Sequence, residues 1–222
     1  MILAQPLLGS TVKCEDDENA AEKNDPYAFL TVLNLHEHRS KSVVQQLSKY
    51  LLERTSTLLP QLTKLLDPSN SSAQVGLILT ERFINIPHQV IPPMYNMLLE
   101  EMQWANEEKE PYQFTHYLVI SKTYTEVSSK LDAEDDRPAK KSKAAKGTGS
   151  EIFYFHPEDE ILQKHALASS SFDYVKQSES DSKRAFQELG VRPQGHVILL
   201  EGSKFEGAVK AVNEYLSGGD ST

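Results

Sequence analysis

The chain has 222 residues, of which 39% are hydrophobic and 25% charged, with one cysteine and a net charge of −9. That is enough apolar material to bury one sizeable core without disulfide staples, and the lone Cys14 excludes an internal disulfide, a cysteine metal knuckle and a CxxC redox pair. The acidic balance argues against direct binding of nucleic acid, whose phosphates would repel it, and favours a basic partner.

No apolar run approaches the roughly 20 residues needed to cross a bilayer, and Met1 to Leu8 lacks a secretory signature, so a soluble intracellular protein is expected. Residues 1–25 end in the acidic stretch Glu15 to Glu22 and are read as a mostly flexible tail. From Tyr27 to Leu35 an apolar run with two apolar sides predicts a strand inside a sheet. Val43, Leu47, Tyr50, Leu51 and Arg54 then recur at helical spacing. A shorter helix around Leu58, Leu62, Leu65 and Leu66 follows the interruption at Pro60 and ends before the turn Asp67-Pro68-Ser69-Asn70.

Gln74 to Leu79 predicts a central strand. Pro92 and Pro93 mark the start of a helix, where backbone N–H groups have no internal acceptor, with Met94, Leu98, Met102 and Ala105 on its apolar face. Tyr112 to Thr125 predicts a long strand with Tyr112, Phe114, His116, Leu118 and Ile120 on one side. Residues 128–150 carry almost nothing that could enter a core and predict a disordered insertion. A short strand at Ile152 to Phe155, a helix near Pro157 to His165, a strand near Ala166 to Tyr174 and the buried run Val197 to Leu200 follow. The last helix carries Phe205, Ala208, Val209, Val212 and Leu216, with Ser203 and Glu206 spaced as a capping box. These elements predict one α+β domain over 26–217, a mixed and largely antiparallel sheet covered by helices, with a short tail at 218–222.

Catalytic patterns fail one by one. Gly202 to Gly207 has two glycines between a strand and a helix, but Ala208 and Val209 stand where a phosphate-binding loop needs Lys and Ser or Thr. His36 and His38 could supply two metal ligands; with no cysteine near them and no obvious third ligand, a surface turn is the simpler reading. No nucleophile elbow, zinc-protease helix or dinucleotide turn occurs, and no cofactor is expected. Arg82 follows an apolar strand, so its guanidinium needs a carboxylate, Glu81 or one elsewhere, or several carbonyls around it; it is read, like Pro93, as structural in preference to a ligand-binding arginine. Glu100, Glu107, Glu108 and Glu110 mark an acidic helix surface that either is simply solvated or meets a partner; the last three sit unfavourably for the helix dipole. Lys140, Lys141 and Lys143 form a basic cluster suited to an import receptor or to plain solvation.

The segment Val75 to Tyr95 contains Gly76-Leu77, Leu79, Glu81-Arg82, Ile84-Asn85 and Pro87, followed by Pro93 and Tyr95 at a helix start. It resembles the signature of the BCCIP family, and the similarity extends to Asp25 to Leu30, Tyr117 to Tyr124, Phe153 to Asp159, the lysine-bearing insertion and the last helix. The resemblance implies an acetyltransferase-like fold without its cofactor loop. It implies a non-catalytic nuclear protein that shuttles to the cytoplasm, escorts a basic large-subunit ribosomal protein in ribosome biogenesis, and serves nuclear export of a phosphoinositide kinase through transport receptors. Animal relatives imply an alternative, a scaffold for DNA-repair and cell-cycle partners; the fold analogy alone keeps an acyltransferase-like enzyme open. The Asn-Ile-Pro-His turn and the insertion favour the fungal branch. Family members usually carry a longer acidic N-terminal extension, of which Glu15 to Glu22 is the counterpart here, so weaker client binding is expected if that extension neutralises the client.

Overall fold

The computed structural model describes residues 2–5, 7–13, 25–70, 72–126, 151–174 and 190–218. Cys14, the acidic stretch Glu15 to Glu22, the insertion with Lys140, Lys141 and Lys143, and residues 219–222 lie outside the described residues.

Seven strands form one sheet: β1 (Ser10–Val12), β2 (Ala28–Asn34), β3 (Val75–Arg82), β4 (His116–Glu126), β5 (Ile152–Tyr154), β6 (Ala168–Phe172) and β7 (Val191–Glu201). Their order is β1-β2-β3-β4-β7-β6, with β5 attached to β4. All pairings are antiparallel except β3 with β4, which a crossover must join because parallel neighbours cannot share a tight turn. Five α-helices are described: α1 (Ser42–Arg54), α2 (Leu59–Leu65), α3 (Ile91–Glu107), α4 (Pro157–Lys164) and α5 (Gly202–Ser217).

The sheet separates two cores. On one face Leu30, Val32, Ile78, Val119, Ile198 and Leu200 meet the inner sides of α3, α4 and α5. On the other, Leu33, Leu77, Leu118, Val197 and Leu199 meet Val44 and Leu51 of α1 and Leu62 and Leu65 of α2. This double covering is why β2 and the start of β3 read as continuous apolar runs rather than alternating ones. Inside the first core the Tyr117 and Phe205 rings stack at 3.9 Å, joining β4 to α5.

β3 and β4 pair only from Val75–Ile78 against His116–Val119. Beyond that they part, and β5 takes the edge of β4 from Thr123 to Thr125. Polar side chains from the start of α4 bridge to both parted strands.

Several sequence expectations shift. On α1 the expected Leu51 is buried and Leu47 and Tyr50 pack against the core, but Val44 rather than the exposed Val43 completes the inner stripe, and Arg54 sits over the Tyr50 ring at 5.9 Å. β4 begins at His116, and Phe114 packs with Tyr117 against the α3 side, opposite to Leu118. β7 starts six residues before Val197 because Pro193 and Gly195, which break a simple apolar pattern, both lie in the ladder. Gly195 is required there: a Cβ would stand 2.4 Å from the Phe172 ring. The capping box does not form; Glu201 precedes the first turn of α5 and pairs with Lys204 at 2.8 Å.

Candidate partner-binding surface

α3 is helical because its apolar residues recur every three or four positions, and it buries Met94, Tyr95, Leu98, Met102 and Ala105 against the sheet. Each buried Leu or Met contributes roughly 1.5–3 kcal/mol, which fixes the rotation of the helix about its axis. Pro92 and the exposed Pro93 occupy its first turn. It stops in a paired hydrogen-bond motif. The Glu110 N–H reaches the Ala105 carbonyl at 2.9 Å and the Lys109 N–H reaches that of Asn106 at 3.0 Å. Lys109 stands between them at φ +64°, in the left-handed region that glycine usually fills.

That rotation decides which carboxylates face water. Glu100, Glu107 and Glu108 point outward and form no ion pair among the described residues. Glu110 lies past the helix in a separate concavity of about 470 Å³ with Glu37, Asn106 and Lys109, so the four expected residues do not share one surface. Glu101, the neighbour of Glu100 in the chain, is buried. Its carboxylate accepts the Gly9 N–H at 2.9 Å and the Ser10 hydroxyl at 2.8 Å, tying β1 to α3.

A second polar site lies where β3 and β4 part. Arg82 pairs with Glu158 at the start of α4, and Glu81 pairs with Lys122 outside it. Arg82, read from the sequence as needing Glu81 or another carboxylate, thus has Glu158 as its partner. The Ser121 hydroxyl donates to Asp159 at 2.6 Å, and the Tyr95 hydroxyl and one oxygen each of Glu158 and Asp159 are buried without a partner among the described residues. Burial pushes the Asp159 carboxyl up to about 7, opposed by the Ser121 hydrogen bond. Burial likewise holds Tyr95 well above the usual phenol range and lowers His156, which lies within reach of Glu158 and Arg82. Glu158 and Asp159 are 1% and 2% exposed, so these groups face protein and lock α4 onto the sheet.

The BCCIP family model matches residues 1–162, a span that includes Arg82, α3 and the start of α4. The chain belongs to the BCCIP family. Protein bcp1 of Emericella nidulans is 55% identical to it, with 98% of this chain and 74% of that protein covered. Protein bcp1 of Schizosaccharomyces pombe is 49% identical over 98% of this chain and 77% of its own length. The crystal structure of BCP1 from Saccharomyces cerevisiae shares the fold at a TM-score of 0.56 and 23% identity, covering 93% of this chain and 67% of that one. Membership of the BCCIP family fits a non-catalytic role.

Two features of this BCCIP chain escaped the sequence. Trp104, its single tryptophan, is 56% exposed on the outer face of α3. The signal was present, since Trp104 falls off the Met94, Leu98, Met102, Ala105 stripe and between Glu100 and Glu107. His36, expected in a surface turn, is buried with both ring nitrogens unpartnered among the described residues, beside an apolar groove of about 580 Å³ along α1. No group of three or more potential metal ligands occurs among the described residues.

Proposed function

We propose that this chain is a non-catalytic nuclear chaperone and transport adapter for a basic large-subunit ribosomal protein, acting in ribosome biogenesis and in nuclear export of a phosphoinositide kinase. The reading rests on the net charge of −9 together with the outward carboxylates Glu100, Glu107 and Glu108, which no lysine or arginine neutralises among the described residues. Occupying the cations of a newly made ribosomal protein keeps them from RNA and from aggregation. Charge complementarity raises the association rate and selects the partner, while an apolar anchor supplies lasting affinity.

Affinity purification from nuclear extract at low salt tests this. Enrichment of a basic large-subunit ribosomal protein is expected, and its absence would overturn the reading; DNA-repair or cell-cycle proteins in its place would favour the scaffold. Lys140, Lys141 and Lys143 are proposed to engage the import receptor, so their joint replacement by Ala lowers nuclear accumulation.

The acyltransferase-like alternative draws on one feature, the parallel pair β3 and β4 that separates after Ile78 and Val119. Where these strands part, Arg82 pairs with Glu158 and Ser121 donates to Asp159, so protein side chains fill the opening. Titration with acetyl-coenzyme A is expected to give no saturable signal.

A further inference from the structure

The outer face of α3 has the composition of an interface rather than of a solvated helix. Met97 is 49% exposed and Trp104 56%. Seven residues separate them, two turns or roughly 10 Å along the axis. Glu100 lies between, three residues after Met97 and four before Trp104, while Glu107 and Glu108 follow Trp104 by three and four. Residues at these spacings are neighbours on a helix surface. Trp104 joins no aromatic pair among the described residues, and its indole N–H has no hydrogen-bond partner there. Exposing a tryptophan this way forgoes the favourable burial of a large ring.

The electrostatics name the occupant. The last turn of α3 contains no basic residue, so Glu107 and Glu108 add to the negative end of the helix dipole instead of compensating it. Lys109 is the exposed cation closest in sequence, and it lies past the helix end in the concavity shared with Glu37 and Glu110. A second copy of this chain would set carboxylate against carboxylate. An arginine or lysine side chain suits every part of the face: its stem lies on Met97, its cation covers the indole ring, and the flanking carboxylates hold neighbouring cations.

We propose that the outer face of α3 is the docking surface for a lysine- and arginine-rich segment of the client, with Trp104 as its central anchor and Glu100, Glu107 and Glu108 as its charged rim. This rests on the reading of the chain as an escort for a basic protein, and it adds where that protein is held and by what chemistry.

Because the chain has one tryptophan, emission excited to the red of tyrosine absorption reports on this surface. Titrating the full chain with a synthetic peptide of repeating Lys-Ala-Arg-Leu is expected to shift the emission to the blue and shield it from acrylamide; a peptide with glutamate in place of the cations leaves it unchanged. With fluorescein-labelled basic peptide, Trp104→Ala is expected to weaken binding about 30-fold, the loss typical of a central anchor. Trp104→Phe retains part of the affinity. The joint change Glu100→Gln, Glu107→Gln and Glu108→Gln slows association and flattens its salt dependence. Unchanged melting temperatures establish that these exposed positions act on binding. If nuclear extract yields a basic client but Trp104→Ala binds client and peptide as well as the parent does, the docking surface is wrong and the escort reading stands. If neither a basic protein nor the peptide binds the parent chain, both are overturned.

Discussion

Replacing Arg82 by Met should unfold this protein more readily than any surface substitution, and the reason lies in what the guanidinium leaves behind. The Arg82 side chain is 9% exposed and that of its partner Glu158 1%, with Asp159 buried beside them. Removing the cation strands a charged Glu158 in protein, and breaking a buried pair from one side costs about 3–5 kcal/mol. For a domain of this size each kcal/mol lowers the melting temperature by about 2–4 °C, so a fall of roughly 6–20 °C is expected. Urea denaturation read by circular dichroism gives the free energy and scanning calorimetry the midpoint. Adding Glu158→Gln to Arg82→Met removes the stranded charge, so the double variant should be more stable than the Arg82→Met single. A cost below about 1 kcal/mol, the range of an exposed pair, or a double variant less stable than that single, would refute a desolvated pair holding α4 to β3.

Further outcomes follow from the same geometry. The Asp159 carboxyl is raised from 3.8 to about 7, so the native state binds its proton more tightly. Its contribution to stability is complete below pH 3.8 and is lost as pH rises through about 7. Buried His196, lowered from 6.5 to about 4, acts oppositely, since its contribution is present above 6.5 and lost on acidification. The informative quantity is therefore the difference between parent and Asp159→Asn at each pH, which should swing in favour of Asn across that window; a difference that does not vary with pH would contradict the raised carboxyl. Lys109→Gly should stabilise the chain by about 0.5–1 kcal/mol, because relief of a left-handed residue outweighs the greater freedom of glycine in the unfolded chain. A loss of stability in urea melts would show that the Lys109 side chain makes a contact worth more than the strain.

The order of helices and strands was legible because periodicity is local: β2, α2, α3, α4 and α5 follow from runs of residues whose burial depends on one neighbouring layer. What stayed hidden depends on parts of the chain that only folding brings together. Nothing around Arg82 announces Glu158, which is 76 positions away. Nothing around Glu101 announces Gly9 and Ser10. Trp104 shows the opposite limit, for its departure from the apolar stripe was visible, but a helix pattern alone does not say whether such a ring packs under a loop or stays in water. The carboxylates Glu100, Glu107, Glu108 and Glu110 were found by charge and sorted only by geometry, Glu110 going to another concavity.

The pairing of β4 has a consequence for synthesis. Its full-length partner is β7, and the Tyr117 ring meets Phe205 in α5, so both are synthesised well after β4 itself. While the ribosome is still adding those residues, β4 presents an unpaired edge and α3 lacks its neighbour, a state that invites association with other nascent chains. Loss of β7 and α5 would leave β4 with only β3 and β5 as paired neighbours among the described residues, and translation pauses before Val191 would prolong the vulnerable interval.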